Sequence, residues 1–179
     1  MEAEADILSY EGYFSMEMTN YNSYVGNQLE HGGIIYDKML QAGKRVFCHG
    51  VDDNHNRHPV GDPSCDSFGG FTMILADELT YDSVFSAMEQ GDMYSSMGPV
   101  FKEVSVNDGI VHVECTEVTC IHFFTGSKRP KFVYASDGGT LTCADMPLDP
   151  RAKYLRVSIR DAQGKWADTR GFFPDELQV

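Results

Sequence analysis

The segment VFCHGVDDNHNRHP, residues 46 to 59, sets three imidazoles (His49, His55, His58) and two adjacent carboxylates (Asp52, Asp53) within fourteen positions. These are hard-to-borderline oxygen and nitrogen donors, the kind that hold zinc, manganese or iron. The informative unit is Asp53-Asn54-His55. On an extended chain, residues i and i+2 project to the same side, so a carboxylate and an imidazole at this spacing can face one ion. Two ligands alone do not make a stable site, since catalytic zinc takes three protein ligands plus water. A polar loop that merely contains histidine is the competing reading of the same residues.

Other candidates carry less chemistry. His112 and His122 sit in alternating, strand-like text and read as surface or satisfied strand residues. The stretch GSKRPK (126–131) is the one basic cluster and suits a turn beside a hairpin, with phosphate contact as the alternative. In DSFGGF (66–71) the glycines suit either tight packing at a strand start or close approach to a ligand. The chain contains no Gly-x-Ser-x-Gly elbow, phosphate-binding loop or dinucleotide fingerprint.

The elements that must position the loop can be read on either side of it. YFSMEMTNY (13–21) reads as a buried strand. GIIYDKMLQAG (33–43) reads as a helix with Ile35, Met39 and Ala42 on one face and Gly43 as its stop. KRVFCHGVD (44–52) is a strand leading into the loop, and GGFTMILAD (69–77) is another. TYDSVFSAMEQG (80–91) is a helix with Thr80 as N-cap, Val84, Ala87 and Met88 on one face, and Gly91 as the stop. Strands alternating with ten-residue helices predict βαβ units, and ligand sites in such folds gather at the C-terminal ends of parallel strands. After Gly98-Pro99 the text is almost all strand and turn, with a hairpin signal at Asn107-Asp108-Gly109. The expectation is an α+β chain: an α/β segment over residues 1–98, then an antiparallel β-sandwich-like module over 99–179.

Composition narrows the function classes. A formal charge of −13 argues against nucleic acid, which requires a basic stripe. There is no run of 18 apolar residues to cross a membrane, and the acidic start Met1–Asp6 does not resemble a secretory signal. Five cysteines without a CxxC pair point to reduced thiols, and the chain is expected in the cytoplasm.

Taken in order, EGYFSMEMTNYN, YDKMLQAGKRVFCHGVDDNHNR and DSFGGFTMILADELTYDSVFSAMEQGDMYSSMGP resemble the C-terminal half of the PHP (polymerase and histidinol phosphatase) superfamily of metal-dependent phosphoesterases. The resemblance covers residues 10 to 105 closely and the tail loosely. It implies an incomplete, PHP-type distorted α/β barrel segment followed by the β module. It also implies that Asp53 and His55 are the family's last metal-binding pair. Glu17 and Asn20 match a Glu-x-x-Asn strand beside the site, while Asp52, His49 and Arg57 are implied as neighbours of the metal or the substrate. The family opens with a His-x-His strand, which has no counterpart here; the one histidine before the motif is His31, in a turn-like segment. The implied cofactor is therefore a divalent metal (Zn, Mn or Fe) at partial occupancy. The implied substrate is a small phosphorylated molecule, hydrolysed weakly or not at all by this chain alone. The implied partner is a second copy or the missing N-terminal half. A non-catalytic binding or assembly domain is the alternative.

Overall fold

The computed structural model describes residues 4–27, 32–127 and 130–177, so His31 and the Lys128-Arg129 part of the basic cluster lie outside the described residues. The chain is a mixture of helices and predominantly antiparallel sheets, an α+β composition. It divides into two compact units, residues 1–95 and 96–179. Among the described residues no helix is long and apolar enough to cross a membrane.

The first unit starts with helix α1 (Glu4–Ser9) and strand β1 (Ser15–Asn20), followed by the short helix α2 (Tyr21–Val25) and helix α3 (Gly33–Gln41). Strand β2 (Phe47–Val51) then returns to pair with β1 in parallel, with Ser15 opposite Phe47 and Asn20 opposite Val51. This is the βαβ arrangement expected from the strand–helix–strand text. The helix buries Tyr36, Met39 and Leu40, whereas Ile35 is half-buried and Ala42 exposed. The buried stripe thus lies one residue round from the predicted one. Tyr36 gives the reason: its ring offers more apolar area than Ile35, and its hydroxyl donates to the Val46 carbonyl at 2.7 Å. Strand β3 (Phe71–Ile74), helix α4 (Tyr81–Gln90) and strand β4 (Met93–Ser96) follow. Thr80 caps α4 by accepting from the Ser83 N–H, and Gly91 ends it.

The second unit is built from strands β5 (Phe101–Asn107), β6 (Ile110–Val118), β7 (Cys120–Phe124), β8 (Lys131–Tyr134), β9 (Leu141–Pro147), β10 (Arg156–Arg160) and β11 (Trp166–Thr169). One sheet runs β5-β6-β9 and another contains the order β11-β10-β7-β8, with antiparallel pairing throughout. The β5–β6 hairpin turns at Asp108 (φ 48°) and Gly109 (φ 71°), two left-handed residues in a row, as a tight hairpin requires. Period-two alternation carries the core. Val111, Val113 and Cys115 of β6, Ile121 and Phe123 of β7, and Val157 and Ile159 of β10 are all fully buried. Each such side chain removed from water contributes about 1.5–3 kcal/mol.

The opposite side of β10 is buried as well, and it is polar. Arg156 and Asp168 are an ion pair at 3.2 Å with almost no solvent exposure, and Ser158 donates to the same carboxylate. Arg156 also stacks 4.0 Å over the Phe124 ring. Beside this pair, His122 is ringed by Phe132 (4.3 Å), Trp166 (5.4 Å), Tyr134 (5.7 Å) and Phe124 (6.1 Å). Its Nε2 is buried without a hydrogen-bond partner, so it is not the satisfied strand histidine the sequence suggests. Burial, followed by the nearby Arg156, pushes its pKa down to about 4. His112 is the surface residue expected, bonded through Nδ1 to Asp145 at 2.6 Å.

Candidate metal centre at the ends of two parallel strands

β1 and β2 end side by side, and the candidate residues extend from those ends. Asn20, the last residue of β1, is the N-cap of α2: its Oδ1 accepts from the Ser23 N–H at 2.8 Å. That capping bond fixes the amide and leaves its Nδ2 free to donate to Glu17 Oε1 at 3.0 Å and Asp53 Oδ2 at 3.1 Å. Glu17, Asn20 and Asp53 therefore form one hydrogen-bonded chain between the two strands.

The loop after β2 is not the extended continuation that its i, i+2 spacing suggests. Asp53 lies in the left-handed region at φ 50°, and Asn56 does so at φ 53°. Asp and Asn tolerate this conformation better than other non-glycine residues do. The chain turns at Asp53, and His55 is held by a different contact: its backbone N–H donates to Asp66 Oδ2 at 2.8 Å. The imidazole Nδ1 of His55 stands 3.9 Å from the same oxygen. Asp53, His55 and Asp66 line one cavity of about 560 Å³, together with Arg57 and His58.

Asp52 and His49 are placed elsewhere. The Asp52 carboxylate accepts three backbone N–H groups, from Phe68 at 2.5 Å, Gly69 at 2.9 Å and Gly70 at 2.8 Å. It is a clamp that closes the loop between β2 and β3, with its oxygens turned to that backbone. The glycines are needed because the backbone comes close: a Cβ on Gly69 would run into the Tyr21 ring, and one on Gly70 into the Val51 carbonyl oxygen. Of the two sequence readings of DSFGGF, tight packing matches these contacts. His49 pairs through Nδ1 with the Ser15 hydroxyl at 2.6 Å, and burial lowers its pKa against the opposing pull of Glu17.

Asp66 was not among the residues singled out from sequence. Its signal was weak, a carboxylate eleven positions after His55 with nothing but loop between them. The donors it joins are chemically suited to a divalent cation. Among the described residues, however, no three His, Cys, Asp or Glu side chains already converge on a single ion position. Compared with protein-family models, curated proteins and solved structures, the chain has no match.

Proposed function

We propose that the first unit is the terminal part of a PHP-type distorted barrel and that Asp53 and His55 are a pair of ligands for a divalent metal ion. In an assembly that completes the ligand set, the function is hydrolysis of a small phosphate ester. What supports the reading is one observation above the others. The hydrogen-bonded chain Glu17–Asn20–Asp53 and the cavity shared by Asp53 and His55 lie at the C-terminal ends of a parallel strand pair. That is where α/β folds place their chemistry.

A bound divalent ion supplies a more acidic water and offsets charge on a phosphoryl oxygen. The chain's own residues do the rest. Asn20 orients the Asp53 carboxylate, and the Arg57 guanidinium in the same cavity attracts an anionic substrate into an otherwise acidic protein. With few ligands in place, cation binding is weak and turnover by this chain alone is slow or nil.

The test is metal analysis of purified protein with a p-nitrophenyl phosphate assay in added manganese or zinc. The reading expects bound metal that falls in Asp53→Ala and in His55→Ala, with little or no turnover. Metal retained in both variants, or none in the parent chain at millimolar supply, contradicts it.

The assembly-domain reading is favoured by a separate observation in the first unit. Leu75, Leu79 and Tyr81 are 63%, 98% and 74% exposed, and Tyr81 stacks on the half-exposed Phe85 at 4.2 Å. A contiguous exposed apolar patch marks a surface that a partner covers, and the stacked Tyr81–Phe85 pair is the start of one. Size-exclusion chromatography with light scattering would show a monomer if they stay uncovered between copies of this chain.

A further inference from the structure

No lysine or arginine occurs between Arg57 and Lys102, and that stretch carries Asp77, Glu78, Asp82, Glu89 and Asp92, all exposed. None of these carboxylates has an ion-pair partner among the described residues. They lie on α4 and at both of its ends. At its start the Glu78 N–H donates to the Ser83 hydroxyl at 3.4 Å, and beyond its last turn the Asp92 carbonyl accepts from Leu75 N–H at 2.8 Å. The inner side of α4 buries Ala87 and half-buries Val84 and Met88. On the outer side, Asp82, Phe85 and Glu89 follow one another at i, i+3 and i+7, and Tyr81 stands four positions before Phe85. The Tyr81 and Phe85 rings stack at 4.2 Å and both stay exposed, as does Leu79 just before the helix. Exposed apolar side chains are thus bracketed by carboxylates with no cation among them.

We propose that the outer side of α4 docks a basic amphipathic segment of a protein partner. The segment's apolar side chains cover Leu79, Tyr81 and Phe85, and its Lys or Arg side chains meet Asp82 and Glu89. This rests on the assembly-domain reading above and names the partner that reading needs. Charge selects among the occupants. A second copy docked through the same face sets like carboxylates against one another, with no lysine or arginine in residues 58–101 to answer them. An uncharged apolar partner crowds those carboxylates away from water without pairing them, which costs free energy. A cationic segment answers both features. Its guanidinium or ammonium groups are attracted to the faces of the rings and donate charge-assisted hydrogen bonds to the carboxylates. Apolar anchors read at helical spacing are a recurring mode of peptide recognition.

The probe is a synthetic helical peptide with Leu on one face and Lys on the other, titrated into the full chain and followed by fluorescence anisotropy. The same peptide with Glu in place of Lys is its counterpart. The Lys peptide is expected to bind, more weakly as salt is raised from about 0.05 to 0.5 M, and the Glu peptide is not. Affinity for the Lys peptide should fall roughly tenfold or more in Tyr81→Ser/Phe85→Ser and in Asp82→Lys/Glu89→Lys. It should stay unchanged in Glu103→Lys/Glu117→Lys, which reverses exposed charges in the second unit. Circular dichroism checks that the variants fold, and light scattering of the chain alone should report a monomer. Equal losses in the two charge-reversed variants, or equal binding of the two peptides, overturn the proposal. A dimer that Tyr81→Ser/Phe85→Ser dissociates makes a second copy the occupant, which overturns the basic partner and keeps the assembly reading. A monomer that binds neither peptide overturns both.

Discussion

The two units of this chain treat their buried charges in opposite ways. In the second, the buried charges of Arg156 and Asp168 answer each other, with Ser158 and the Phe124 ring filling the remaining sides. In the first, Asp66 is buried with one oxygen unanswered, and the loop around it is held by Asp52 and by left-handed non-glycine residues. The second pattern is what stability requires. The first leaves one buried carboxylate oxygen without a partner. The contrast makes the buried charges of the second unit structural, while the proposed site lies in the first.

The largest effect is expected where the comparison says polar groups are structural. Arg156→Ala leaves Asp168 buried without its cation, and the second unit should lose about 3–5 kcal/mol. Trp166, the chain's only tryptophan, lies in that unit, so urea unfolding followed by its fluorescence reads the loss directly. A loss below about 1 kcal/mol would break the contrast. Next comes Asp52→Asn, which weakens three backbone hydrogen bonds to a charged acceptor. It should destabilise the first unit by about 1–3 kcal/mol, seen as a lower melting temperature and as faster proteolysis within residues 54–70. Asp53→Gly should change stability by no more than about 0.5 kcal/mol, because glycine adopts φ 50° without cost. Cation binding should nevertheless be lost; a large loss of stability instead would make Asp53 a structural residue.

A last effect is a pH dependence in the second unit. His122 titrates near 4 when folded and near 6.5 when unfolded, so between these values the unfolded chain binds more protons. Its contribution to stability is complete above pH 6.5 and is lost as the pH falls through 4. His122→Phe should flatten that part of the stability–pH curve. A slope that survives the substitution assigns it to other groups.

Much of the frame was legible in the sequence. The β1–α3–β2 alternation, the Thr80 cap and Gly91 stop, and the Asn107-Asp108-Gly109 hairpin follow from local rules that residues obey with little help from distant contacts. The site was legible only in part. Asn20 and Asp53 could be placed at neighbouring strand ends, since parallel pairing brings those ends together. The turn at Asp53 could not, because spacing alone does not report φ. Asp52 and Asp53 are identical in type and adjacent, yet one clamps the Phe68–Gly70 backbone and the other faces the cavity. That division depends on where a loop returns, as does the burial of Asp66. The ring of aromatic side chains around His122 was hidden for the same reason: it is assembled from β7, β8 and β11, whose register no short pattern states.

The central claim is that the cavity at the ends of β1 and β2 is a divalent-cation site. Crystals of the full chain soaked in manganese and measured for anomalous scattering test it most directly. The account predicts an anomalous peak within coordination distance of the Asp53 and His55 side chains. A cavity without a peak at millimolar manganese, in crystals where the Asp53 and His55 side chains are ordered and unblocked, would contradict it.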